Sequence, residues 1–206
     1  MHDTATVPAA STTSPLRTLG LAALGGGLAG LLAGGVYGRV FMFVLAQLNP
    51  DHAGVNTDDG FPIGRFTLAG TLNLVSFTVT IGAVGGLLFL LLRGLRFGPR
   101  WFRLLSMPVG VTVVVGSTMV HSDGVDFGVL EPWWLAVALT LVVPLLYTVV
   151  VSTLVDRWLG DGPTFWVRLP AAVPWVVRAA FVVIVAVALT DLLSTIDEIR
   201  HPFRFD

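Results

Sequence analysis

The chain alternates between long apolar runs and short polar segments. A helix needs about 20 predominantly apolar residues to cross a hydrocarbon core of about 30 Å. Five runs meet this length or come close to it: 18–48, 66–92, 104–120, 135–155 and 171–193. The pattern therefore predicts an all-α fold, a membrane helix bundle with about five transmembrane helices.

The segment before the first apolar run is polar and has no apolar period. It reads MHDTATVPAASTTSPL and is rich in Thr, Ser, Ala and Pro, a composition typical of disordered chains. The run that follows is longer than the apolar core of a signal peptide, which has about 7 to 15 residues. We expect a disordered cytoplasmic tail over 1–16 and a single transmembrane domain over 17–206.

The orientation of the bundle follows from the polar segment RGLRFGPRWFR. Short loops rich in arginine stay on the cytoplasmic side of a membrane. The arginines of this segment are Arg93, Arg96, Arg100 and Arg103. They place this loop and the N-terminus inside, with outer loops at 49–65 and 121–133. Trp101 and Phe102 lie between these arginines, so the loop could also bind anionic lipid headgroups. We favour the role in orientation over this interpretation.

The first apolar run carries glycine at every fourth position. The residues are Gly26, Gly30, Gly34 and Gly38. Small residues at this spacing let two helix backbones approach closely in a membrane. We favour packing within the chain over self-dimerisation, and the second run offers a complementary face that carries Thr71, Thr78, Gly82 and Gly86.

Composition supports the membrane class and removes several chemistries. Hydrophobic residues make up 54% of the chain and charged residues 12%, values typical of an integral membrane protein. The chain has no cysteine, so it has no disulfide or thiolate site. It also has no lysine, which excludes a lysine-containing phosphate loop, and no basic pattern indicates nucleic-acid binding. We expect no cofactor.

The outer loops hold the strongest combination of reactive side chains. The candidates are His52, Asp58, Asp59, His121, Asp123 and Asp126. Histidine and carboxylate groups together can bind a divalent cation or exchange protons. No paired spacing on one helix prepares such a site, and Asp before Gly is ordinary turn chemistry. Solvated or turn-forming side chains are therefore the favoured interpretation, and a metal site is the weaker one.

Two ionisable residues fall near the outer ends of predicted helices. Arg39 lies about 20 residues into the first run, and Asp191 lies about 20 residues into the fifth, so their depths match. A guanidinium packed against protein needs carboxylate or carbonyl partners. We predict a structural ion pair between Arg39 and Asp191, with Asp126 as the second choice of acid.

Two stretches resemble segments of small multi-pass membrane proteins of actinobacteria. They are GRVFMFVLAQLNPDHAGVNTDDGFPIGRFTLAGTLNL and HSDGVDFGVLEPWWLAVALTLVVPLLY, and the resemblance covers roughly 38–147. It implies the same class of protein. It carries no activity, substrate or cofactor that can be transferred to residues of this chain.

These observations favour a non-enzymatic protein of the cell membrane. We expect a scaffold or partner subunit that presents two acidic extracytoplasmic loops and contacts the lipid bilayer and other membrane proteins or a second copy. The first alternative is a small oligomeric channel or permease. The second is a membrane enzyme or metal-binding protein that uses the His and Asp residues of the outer loops.

Overall fold

Within the described residues, five helices are long and apolar enough to cross a membrane. The computed structural model describes residues 14–52, 54–55, 67–96, 98–122, 127, 130–160, 170 and 172–201. The helices in these ranges are α1 (Pro15–Leu48), α2 (Leu68–Leu92), α3 (Arg100–Met119), α4 (Trp133–Leu159) and α5 (Ala172–Arg200). The described residues contain no strand. The predicted all-α membrane bundle is confirmed.

Four helix ends lie about a turn or more from the predicted ones. Helix α3 begins at Arg100 and not at 104, and α4 ends at Leu159 and not at 155. Helix α1 begins one turn early because Pro15 occupies its first position and the hydroxyl of Ser14 accepts a hydrogen bond from the Arg17 amide at 3.3 Å. Residues 1–13 of the expected tail lie outside the described residues. Helix α5 continues about two turns past the predicted end, since Ile196 and Ile199 still pack against an apolar cluster of the bundle.

Helix α1 contains a π-helical stretch at its centre. Leu31–Tyr37 lies between two α-helical parts, Pro15–Gly30 and Gly38–Leu48. In a π-helix each amide bonds five residues back, so the turn is wider than in an α-helix. Apolar and small residues continue without interruption through this stretch, so the sequence gives no sign of it.

Helices α1 and α2 pack with their backbones in contact. A Cβ atom added to Gly26 would lie 2.6 Å from the Cα of Gly86, and one added to Gly82 would lie 2.9 Å from the Cα of Gly30. A Cβ on Gly34 would meet the Cβ of Thr78 at 2.8 Å. Lipid supplies no hydrophobic force between helices, so this close approach stabilises the pair through dispersion.

The fourth glycine of the stripe does not take part. A Cβ on Gly38 would meet no other atom within 4 Å, so the close contact ends at Gly34. The glycine-lined groove of α1 is filled by α2 of the same chain. This is the intramolecular arrangement, and a second copy is not needed to cover the groove.

The remaining helices extend the bundle in one direction. Helix α4 packs against α1 and α3, and α5 packs mainly against α3. We call the end of the bundle that contains Arg93, Arg96 and Arg178 the arginine end, and the other end the Asn49 end. One buried apolar cluster lies toward each end, around Val155 and Phe89 at the arginine end and around Leu45 and Val137 at the Asn49 end.

Candidate functional site

The end of α2 places two arginines against the end of α4. Helix α2 ends at Leu92, and the 3-10 turn Arg93–Leu95 follows it. The side chain of Arg93 is only 8% exposed and donates a hydrogen bond to the carbonyl of Gly160. The last carbonyls of a helix lack partners within the helix and favour a cation. Arg93 therefore caps the end of α4 from a neighbouring helix.

Arg96 completes this contact through a carboxylate. Its two terminal nitrogens donate to the two oxygens of Asp156, each at 2.7 Å. The Nε atom of Arg93 lies 3.9 Å from the same carboxylate. Paired hydrogen bonds of this kind are short, directional and stronger than neutral ones. We call Arg93, Arg96 and Asp156 the arginine clasp, because they fasten α2 to α4.

The other two arginines predicted to orient the bundle lie in the first turn of α3. Arg103 is exposed, and the side chain of Arg100 lies outside the description. The predicted role of the four residues in orienting the chain remains a prediction. The structure adds a second role for Arg93 and Arg96, whose side chains contact Gly160 and Asp156 at the end of α4.

A cavity of about 230 Å³ lies beside the clasp, between α3, α5 and the end of α2. Its wall is mostly apolar and includes Phe102, Met107, Phe181, Val182 and Val185. Among the described residues, the charged side chains that line it are Arg96 and Arg178. The Nε atom of Arg178 donates to the carbonyl of Leu95 at 2.8 Å, and its guanidinium lies 4.8 Å from the centre of the Trp175 ring. Arg178 thus connects α5 to the end of α2 and lines the same cavity.

The candidate metal ligands of the outer loops are only partly described. Asp58, Asp59, Asp123 and Asp126 lie outside the described residues. His52 is half-buried in the 3-10 turn Pro50–His52, and His121 is exposed. Within the described part of the chain, no group of three His, Asp or Glu residues is arranged to hold a metal ion. The metal site remains a prediction on residues that the structure leaves out.

The predicted ion pair between Arg39 and Asp191 is not formed. Both residues are described, and the ion pairs found in the described ranges do not join them. Arg39 is half-buried, whereas Asp191 is exposed on α5. The reason is the rotational orientation of α5 against the bundle. Leu192 is 5% exposed and packs in the cluster with Leu45, so it occupies the inward-facing position. Its neighbour Asp191 is rotated about 100° around the helix and points away. The second-choice acid, Asp126, lies outside the described residues.

A buried amide at the Asn49 end was not found from the sequence. Asn49 follows α1 and is 5% exposed. Its Nδ2 donates to the carbonyls of Leu45 at 2.9 Å and Glu131 at 3.0 Å, and its Oδ1 accepts from the Glu131 amide at 2.8 Å. One side chain therefore pairs with both backbone groups of a residue just before α4. It fixes the exit of α1 against the entry of α4.

Two tyrosines bond helix backbones inside the bundle. The hydroxyl of Tyr147 on α4 donates to the carbonyl of Gly82 at 2.8 Å, and that of Tyr37 donates to the carbonyl of Leu139 at 3.0 Å. Buried hydroxyls need such partners, and in a low-dielectric surrounding each bond is stronger than in water. Both contacts hold α4 against its neighbours and serve packing.

In comparisons with known proteins, no family model, curated protein or solved structure matches this chain. The helices themselves define the class. The chain is a multi-pass integral membrane protein whose apolar helix faces contact the lipid bilayer.

Proposed function

We propose that the protein is a non-enzymatic scaffold or partner subunit of the cell membrane, which presents the acidic segments 49–65 and 121–133 on the outer side. The observation that carries this proposal is the position of α5 at the edge of the bundle. Only 6% of its most apolar 18 residues are buried, compared with 33% for α1 and for α4.

The exposed surface of α5 has the residue pattern of a helix-packing face. Ala179, Val183, Ala186 and Thr190 are exposed and lie at spacings of four, three and four residues, which places them on one side of the helix. Three of the four are small. Small residues on one face allow a second helix to approach closely within a membrane. We therefore propose that this face of α5 receives a helix of a partner protein.

The test uses a photo-crosslinking residue placed at Val183 in the full chain at native expression level. The matched control is Val84 on α2, which is 55% exposed against 61% for Val183. We expect a discrete protein adduct from position 183 and only lipid adducts from position 84. An adduct of twice the chain mass would identify the partner as a second copy.

A second variant separates a specific contact from chance proximity. Ala186→Leu adds bulk on the proposed face without touching the described core, so we expect it to remove the adduct while the thermal stability of the purified protein stays the same. Only lipid adducts at both positions would contradict the proposal. So would an adduct that Ala186→Leu leaves unchanged.

The assignment to the cell membrane and the relationship to small actinobacterial membrane proteins are part of the same proposal. They are supported by the two stretches quoted above and by the absence of lysine, which is typical of GC-rich coding sequences. Fractionation of cells that express the chain from its own promoter tests the location. Recovery in an internal membrane fraction would contradict it.

A further inference from the structure

The cavity beside the clasp opens toward the membrane. Two of its lining residues, Val109 on α3 and Val182 on α5, are 53% and 61% exposed, so the gap between these helices reaches the lipid-facing surface. An apolar cavity of about 150 Å³ already accepts a benzene-sized molecule. A cavity of about 230 Å³ with an open side therefore has room for two fused rings.

One face of α3 forms a wall of this cavity. Phe102, Ser106 and Gly110 line it at four-residue spacing, which places them on the same side of the helix. A Cβ atom on Gly110 would lie 2.8 Å from the ring of Phe181, so glycine lets this ring of α5 lie against α3. The wall also includes Met107, and a thioether makes favourable contacts with aromatic rings. Phenyl rings and a thioether favour a planar aromatic ligand over a saturated chain.

The hydroxyl of Ser106 has no hydrogen-bond partner in the described part of the chain. The other hydroxyl side chains of α3 differ from it, since Thr112, Ser117 and Thr118 donate to carbonyls of their own helix at 2.7, 3.1 and 2.8 Å. Ser106 is half-buried beside a mostly apolar cavity, where an unpaired hydroxyl is unfavourable. A ligand with a carbonyl oxygen would accept this missing hydrogen bond.

The charged groups at the edge of the cavity already bond the protein. Both terminal nitrogens of Arg96 donate to Asp156, and its Nε donates to the carbonyl of Arg93 at 3.2 Å. Arg178 donates to the carbonyl of Leu95. An anionic ligand would have to compete with these contacts, so the cavity favours an uncharged molecule.

We propose that this cavity binds one uncharged, lipid-soluble quinone between α3 and α5. A carbonyl oxygen of the quinone accepts from Ser106, and its apolar tail leaves through the gap between Val109 and Val182. A quinone combines the three properties that the cavity selects, a planar ring, an oxygen acceptor and no charge. The proposed function concerns the exposed face of α5 with Val183 and Ala186, so either proposal can fail while the other stands.

The test measures binding of menadione, a two-ring quinone, to the purified full chain by calorimetry, with empty micelles of the same detergent as reference. We expect one menadione per chain. Ser106→Ala should lower its affinity about fivefold, the effect of one lost hydrogen bond. Ser117→Ala on the same helix is the control and should leave the affinity unchanged, because that hydroxyl bonds its own helix. Binding no greater than to empty micelles, or equal effects of the two variants, would overturn the proposal.

Matched probes separate a quinone from other ligands of the same cavity. Methylnaphthalene keeps the two rings and lacks the carbonyls, so Ser106→Ala should leave its affinity unchanged. Naphthoate carries a carboxylate on the same rings and should bind more weakly than menadione. Tighter binding of naphthoate would show an anion site, and tighter binding of dodecane would show a site for hydrocarbon chains. Either result would contradict the proposal.

A further pair of variants tests the place of binding without changing Ser106. Val182→Trp places a large side chain in the opening, and we expect it to weaken binding of menadione and of methylnaphthalene. Val187→Trp on the same helix, at a position 63% exposed, should change neither. These two variants decide the question if Ser106→Ala does not fold. Equal affinities in the two tryptophan variants would place the ligand elsewhere and overturn the proposal.

Discussion

The guanidinium of Arg96 and the carboxylate of Asp156 are joined by two hydrogen bonds of 2.7 Å across 60 residues of sequence. The carboxylate is 36% exposed and the guanidinium 16%, so the pair lies at the edge of the bundle and not at its centre. The Nε atom of Arg93 lies 3.9 Å from the same carboxylate, and the Arg93 side chain donates a hydrogen bond to the carbonyl of Gly160, the residue after α4. The contact therefore determines how the end of α2 meets the end of α4.

Loss of one partner of this pair should destabilise the bundle. We expect Asp156→Asn to lower the free energy of unfolding by about 1 to 3 kcal/mol, because Arg96 would lose the carboxylate that accepts its two hydrogen bonds. Partial exposure of Asp156 keeps the effect below that of a fully buried pair. The double variant with Arg96→Gln should lose less than the sum of the two single losses. The measurement is chemical unfolding in detergent micelles, with Arg157→Gln as control, and strictly additive losses would exclude direct coupling.

Bulk in the α1–α2 contact should separate the two helices. Gly30→Leu would force a branched side chain into the backbone of α2 at Thr78 and Gly82, and overpacking of this kind costs about 1 to 3 kcal/mol. Gly20→Leu on the same helix is the control, since a Cβ at that position meets nothing within 4 Å. Thermal unfolding in detergent compares the two variants. Equal melting temperatures would show that the contact does not support the fold.

The buried amide of Asn49 should matter far more than an exposed one. Asn49→Ala removes three hydrogen bonds, two of them to the backbone of Glu131, for an expected loss of about 1 to 3 kcal/mol. Asn73→Ala, which changes an exposed asparagine on α2, should stay within about 0.5 kcal/mol of the native chain. Unfolding in detergent provides both values, and similar losses at the two positions would contradict this role of Asn49.

Replacement of Asp191 should be nearly neutral. Its carboxylate is exposed and forms no ion pair with Arg39, so Asp191→Asn should change the free energy of unfolding by less than about 0.5 kcal/mol. Leu192→Ala at the adjacent inward position should cost about 2 to 5 kcal/mol through the cavity that it leaves. A large loss from Asp191→Asn would restore the ion pair as an explanation.

The orientation of the bundle remains a prediction and can be measured directly. Reporter enzymes fused after Arg103 and after Val55 should report cytoplasmic and external locations respectively, because short arginine-rich loops stay inside. A fusion after Gly160 should again be cytoplasmic. The opposite pattern would place the arginine end outside the cell and would show that the arginine-rich loop does not determine the orientation.

The number and order of the helices were predictable because each apolar run carries its own signal. Membrane helices must satisfy their backbone groups internally, so length and hydropathy alone locate them. The close contact of Gly26 and Gly30 with α2 also has a local signal, the four-residue spacing. The end of this contact at Gly34 has no local signal in the sequence, because it depends on how far α2 runs alongside α1.

The polar contacts were not predictable for a different reason. Asn49 meets Glu131 across 82 residues, and Asp156 lies just beyond the fourth apolar run, 135–155. Nothing near either residue distinguishes it from a solvated side chain until the helices are in place. The pair of Arg39 with Asp191 was predicted from depth alone. Depth does not determine which side of α5 an acid faces, and this is where the prediction failed.

The π-helical stretch of α1 makes the effect of a deletion depend on where it falls. A turn closed by a hydrogen bond five residues back holds about one residue more than an α-helical turn, so removal of one residue from Leu31–Tyr37 would let the stretch close as an α-helix and keep Leu45 and Asn49 near their contacts. Removal of one residue from Gly38–Leu48 has no such turn to absorb it, and would rotate the residues that follow by about 100° and draw them about 1.5 Å toward the arginine end. A deletion between Gly38 and Leu45 would therefore disconnect the Asn49 end through a shift of phase along α1, although every contact residue would still be present.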